Sequence, residues 1–151
     1  MNKILYILLL TFSCLCYSDT KISVHDGEIN ISDECTYYIP DIQSAGFSCA
    51  DNLYRISFSE HSKIAASHER MIKRNASEKL LPENLDTAIK KKIGEYTHYY
   101  YAMSSTEVDF LFYNYYICDY DLCINVGSTQ KHSIRTVLNQ LKIELIDNEN
   151  L

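Results

Sequence analysis

The sequence predicts an α+β domain: an antiparallel sheet with helices set apart from the strands and a C-terminal amphipathic helix packed on it. Three observations carry this. Strand-like alternation comes in runs instead of alternating with helices, which argues for antiparallel pairing. Helical spacing is confined to the middle and the end of the chain. Four of the six cysteines fall in two pairs, each closing a short loop. The expected order is ββ-loop-β-αα-βββ-α.

Residues 1–18 read as a cleaved signal peptide. Lys3 precedes an apolar run from Ile4 to Phe12, and Cys16 and Ser18 occupy the two small-residue positions before a cut ahead of Asp19. The run stops short of the roughly 20 apolar residues that a membrane-spanning helix needs. The alternative is lipidation at Cys14, although Thr11-Phe12-Ser13 is a poor lipoprotein lead-in. Residues 19–151 then form one domain, which is long enough for a core of its own.

Lys21 to Ser32 alternates apolar residues on either side of Gly27 and reads as a hairpin. Cys35 to Cys49 contains Pro40 and Gly46 and reads as an irregular loop stapled at its ends. Tyr54, Ile56 and Phe58 share one side of a strand over 53–59. From Glu60 to Asn75 the period changes, with Ile64, His68, Met71 and Ile72 at helical spacing. Pro82 opens a second expected helix, striped by Leu85, Ile89 and Ile93 and stopped by Gly94. Strands follow over 96–103, 107–118 and 122–126. Ile134, Val137, Leu138, Leu141 and Leu145 then stripe a final helix from about Thr129 to Leu145, capped by Ser128 or Thr129.

Two registers follow for the tyrosine-rich strands. A turn at Ser104-Ser105-Thr106 sets Tyr100 opposite Phe110 and His98 opposite Phe112. A bridge across the next turn sets Ile117 opposite Ile124 and Tyr115 opposite Val126. The two put opposite parities of one strand into the core, which requires a bulge near Tyr113-Asn114.

Loss of Lys3 with the signal peptide leaves 13 basic and 20 acidic residues, a net charge of −7. So acidic a chain disfavours nucleic acid and anionic membranes and favours a basic protein partner. Proximity pairs Cys35 with Cys49 and Cys118 with Cys123, and an exported protein meets the oxidising conditions such bridges need. Zinc is the rival, but these spacings suit it poorly.

No motif names a reaction. The histidines lack metalloprotease spacing, a nucleophile elbow is missing, and four glycines are too few for phosphate-cradling loops. The reading therefore assigns no catalytic residue, no metal and no cofactor. Tyrosine stands out instead, crowding into 96–120. Tyr99, Tyr101, Glu107 and Asp109 on one strand face, with Asp119, Tyr120 and Asp121 at a turn, are expected to form an exposed interaction surface. Tyrosine offers contact area at little entropic cost, and interleaved acids suit a basic partner.

The expected function is a non-catalytic, exported, periplasmic or secreted binding protein. Its most specific form is an immunity or inhibitor protein that occludes a toxin or hydrolase. The alternatives are an envelope lipoprotein or structural component, and a small secreted hydrolase that gathers distant residues such as His68, Glu69 and Asp109.

Overall fold

The computed structural model describes residues 20–25, 27–42, 44–50, 54–78, 88–104 and 111–146. The expected signal peptide, Cys14, the start of the second expected helix, Glu107 and Asp109 lie outside the described residues. Along the chain come β1 (Thr20–Val24), β2 (Gly27–Ile31), β3 (Thr36–Asp41), β4 (Ser44–Cys49), β5 (Tyr54–Glu60) and α1 (His61–Glu78). After them come β6 (Ile89–Ile93), β7 (Tyr96–Ser104), β8 (Leu111–Cys118), β9 (Leu122–Ser128) and α2 (Lys131–Leu138), closed by a 3-10 turn over Asn139–Leu141. The fold is α+β, dominated by antiparallel sheet.

Strands β3 to β9 form one seven-stranded sheet ordered β3-β4-β5-β9-β8-β7-β6, and every pairing is antiparallel. The β1–β2 hairpin stands apart and pairs only with itself. It lies on the same sheet face as α2. Val24, Ile29 and Ile31 there join Ile56, Tyr100, Tyr115, Ile117, Ile124 and Val126 from the sheet, and Ile134, Val137, Leu138 and Leu141 from α2 and its 3-10 turn. Gly27 is required at this junction, because a Cβ on it would meet the Leu141 carbonyl oxygen at 2.8 Å.

Helix α1 covers the other face. Ile64, Ala65 and Met71, spaced to share one side of the helix, pack on Tyr99, Tyr101, Tyr116 and the Cys118–Cys123 bridge. A sheet covered on both faces must be apolar or internally hydrogen-bonded on both, so strict in–out alternation disappears. The run Asn114–Cys118 is buried at every position.

Several expectations need correction. The segment between Cys35 and Cys49 is a hairpin, β3–β4, and not an irregular loop; its bridge links paired strands. Residues 89–93 are an edge strand, not the end of a helix. Ile89 and Ile93 are four apart, which suits either a helical stripe or one side of a strand, and pairing with Tyr96–Tyr100 decides for the strand. Gly94 serves the tight turn into β7, with φ +58°. The C-terminal helix ends at Leu138, well before Leu145, and Lys142 takes a left-handed conformation at φ 55°. Its cap position is Gln130, which makes no side-chain cap; Ser128 Oγ instead accepts the Gln130 N–H at 2.9 Å.

The second expected register is correct: Ile117 faces Ile124, Tyr115 faces Val126, and Cys118 faces Cys123. The first is not. Met103 faces Phe112, Tyr100 faces Tyr115 and His98 faces Ile117, so the connection runs past the expected Ser104-Ser105-Thr106 turn. With odd-numbered β8 residues facing the main core throughout, β8 pairs without a break from Leu111 to Cys118, and no bulge interrupts Tyr113-Asn114.

Candidate functional site

The tyrosine-rich strands do not present the expected surface. Tyr99 is 1% exposed and Tyr101 5% exposed, because α1 lies over the face that holds them. Their hydroxyls are used internally. Tyr101 donates to the Tyr116 hydroxyl at 3.0 Å, with the two rings stacked 5.5 Å apart. Burial pushes both phenols above the ordinary tyrosine range. Tyr99 has the edge of His68 against its ring at 5.1 Å, and the Lys90 ammonium 5.5 Å from its centroid. Glu107 and Asp109 lie outside the described residues, and of the expected surface the described residues that remain exposed or partly exposed are Asp119, Tyr120 and Asp121.

That loop is well exposed and firmly held. Tyr120 is 92% exposed and the neighbouring Leu122 43%. The Cys118–Cys123 bridge closes the turn from within, buried at both ends. Asp119 Oδ1 accepts the N–H groups of Asp121 at 2.8 Å and Leu122 at 2.7 Å, and the Asp119 N–H donates to the Leu122 carbonyl at 3.0 Å. Partial burial opposes ionisation of the Asp119 carboxyl, but those two N–H donors, with His25 and His61 nearby, hold it below its ordinary range.

Two histidines from distant parts of the chain brace the same loop. His61 opens α1, and its backbone N–H donates to the Asp121 carbonyl at 2.8 Å. Its Nδ1 lies 2.6 Å from the Asp119 carbonyl oxygen and its Nε2 3.0 Å from the Tyr99 hydroxyl. A carbonyl can only accept, so Nδ1 carries the proton and the Tyr99 hydroxyl donates to Nε2. The buried tyrosine thereby orients the ring that holds the loop. From the other face, His25 at the β1–β2 turn packs on Tyr96, donates from Nε2 to the Ile117 carbonyl at 3.2 Å, and sets Nδ1 3.6 Å from Asp119 Oδ2. Nothing in the spacing of residues 25, 61 and 119 signals this arrangement, because it depends on both sheet faces being covered.

Chemical alternatives gather less. Asn114 and Asn125 form a buried pair, with Asn125 Nδ2 donating to Asn114 Oδ1 at 3.2 Å and to Ser57 Oγ at 3.4 Å. His68 is 3% exposed on the sheet-facing side of α1, and burial, with Lys90 next, lowers its pKa. Its companion Asp109 lies outside the described residues. Among the described residues no group of three His, Cys, Asp or Glu side chains is placed to hold a metal ion.

Comparison with models of known protein families and with curated proteins returns no match. Both expected disulfides form, Cys35–Cys49 and Cys118–Cys123, which suits an exported protein. No described helix is long and apolar enough to cross a membrane.

Proposed function

We propose that this is a non-catalytic binding domain, exported to the periplasm or beyond by cleavage after Ser18, which neutralises a toxin or hydrolase by occlusion. In the most specific form of this reading it is an immunity or inhibitor protein. The observation that carries it is Tyr120, 92% exposed at the tip of a disulfide-closed loop. Tyrosine is among the side chains that carry most binding energy at interfaces, and a rigid scaffold lowers the cost of presenting it. Here the ordering of the loop is complete before any partner arrives, because Asp119, His25 and His61 already hold it. The flanking Asp119 and Asp121 and the net charge of −7 after cleavage favour a basic partner, through steering as much as through contact.

The test is to express the full tagged chain through an oxidising export route and capture partners from the native organism, with Tyr120→Ala as control. A stoichiometric protein held by the parent chain and lost by the variant is the expected result. Capture of no such protein, or equal capture by both chains, overturns the reading.

A further inference from the structure

We propose that the partner's footprint spans two hairpin tips, Tyr120 on β8–β9 and Ile42 on β3–β4, and that the partner is a basic protein surface offering an apolar contact to each. This deepens the binding reading above and rests on it.

Strand registration puts the two tips at the same end of the sheet. Gly46 of β4 faces Ser57 of β5, so the same registration brings Ser44, beside the β3–β4 turn, level with Ser59. Ser59 faces Cys123, which faces Cys118 at the base of the Tyr120 loop. Three strand spacings separate the centres of the two hairpins in the order β3-β4-β5-β9-β8. At about 4.8 Å each, the tips stand about 14 Å apart. That fits within a standard interface patch of about 800 Å² per partner.

Each tip carries apolar surface with no cover among the described residues. Ile42 is 99% exposed and Ile39 64%, against 92% for Tyr120 and 43% for Leu122. The Cys118–Cys123 bridge closes the Tyr120 turn itself, so little ordering remains there to oppose binding, whereas Cys35–Cys49 joins the open end of β3–β4, away from Ile42.

Charge decides the occupant. From Asp33 to Tyr54 the chain has no lysine, arginine or histidine, and Asp41 immediately precedes Ile42. Glu60, Asp119 and Asp121 lie between or beside the tips, with Lys63 as the nearby ammonium, 4.0 Å from Glu60. A second copy would bring like charges together, and an anionic membrane would be repelled in the same way. Addition of a partner strand is also unfavourable here, because Pro40 removes an N–H from edge strand β3 and its register shifts between Tyr38 and Asp41. Docking is therefore through side chains at the tips.

The probe is a phage library of random 12-residue peptides, panned on the full disulfide-bonded chain. An extended segment of about five residues already spans 14 Å. The expected peptides combine lysine or arginine with aliphatic or aromatic residues. A synthesised winner should bind at least tenfold more weakly to Ile42→Asp, to Tyr120→Asp and to Asp121→Lys, whose thermal unfolding should match the parent chain. Loss with Tyr120→Asp but not Ile42→Asp overturns the two-tip footprint and leaves the loop reading standing. Loss with neither overturns both. Failure to enrich peptides, enrichment of acidic or uncharged ones, or concentration-dependent dimers abolished by Ile42→Asp also overturns the proposal.

Discussion

His98 and Tyr115 make a buried polar contact inside an aromatic-rich interior. The Tyr115 hydroxyl accepts the Ile146 N–H at 2.9 Å and lies 3.0 Å from His98 Nδ1. His98 Nε2 is buried with no hydrogen-bond partner among the described residues, so a second proton on the ring would be poorly accommodated. Burial, helped by His25 and Lys91, lowers the His98 pKa from 6.5 to about 4, and burial pushes the Tyr115 phenol up to about 12. In the unfolded chain His98 takes up its proton near pH 6.5, well before the folded state does. Its contribution to stability is therefore complete above that pH and is lost as pH falls towards 4, by something on the order of 3 kcal/mol. His68, also depressed by burial, acts in the same direction. His98→Gln should flatten the fall in urea midpoint between pH 6.5 and 4 relative to the parent chain, and parallel curves would refute the assignment. Asp119 belongs to a lower window. Its depressed carboxyl pKa adds stability that is present above the ordinary aspartate value of 3.8 and is lost as pH drops further.

The β8–β9 hairpin is the element on which the functional reading turns, and its loop is held by more than its disulfide. Asp119→Ala removes the acceptor for two backbone N–H groups and should cost about 1–3 kcal/mol. Amide exchange at Asp121 and Leu122 should speed up, while that at Ile117 and Ile124 should change only with global stability. Uniform acceleration would mean that the loop is not a separately held unit. Much of this hairpin was legible in advance: Cys118 and Cys123 fix its register, and alternation fixes the Ile117–Ile124 pair. Other elements were not. Ile89 and Ile93 satisfy helix and strand periods alike, and what distinguishes them is pairing with Tyr96–Tyr100, a tertiary fact. The burial of Tyr99 and Tyr101 was hidden for a related reason. Alternation separates two faces of a strand, but it cannot say that α1 covers the second one. Tyr120 is exposed as expected because a turn between bridged cysteines has no such face to be covered.

At the scale of the whole molecule, the sheet protects both of its edges: Lys90, Lys91 and Lys92 line β6, and Pro40 with a register shift interrupts β3. Such edges discourage strand addition, which leaves side-chain docking as the route to a partner. The bridges contribute unequally. The Cys35–Cys49 loop is the longer, with a sequence separation of 14 against 5. Loop-closure entropy then predicts losses of about 3 kcal/mol for the Cys35→Ser/Cys49→Ser pair and about 2 kcal/mol for Cys118→Ser/Cys123→Ser. Chemical denaturation of both double variants checks that order. Because a pre-ordered loop displaying Tyr120 is proposed to make the binding energy, the decisive measurement is the dissociation rate of the captured partner from the parent chain and from Tyr120→Ala. A hot-spot residue of about 2 kcal/mol predicts dissociation about 30-fold faster with folding stability unchanged. Equal dissociation rates would contradict the claim and remove Tyr120 from the interface.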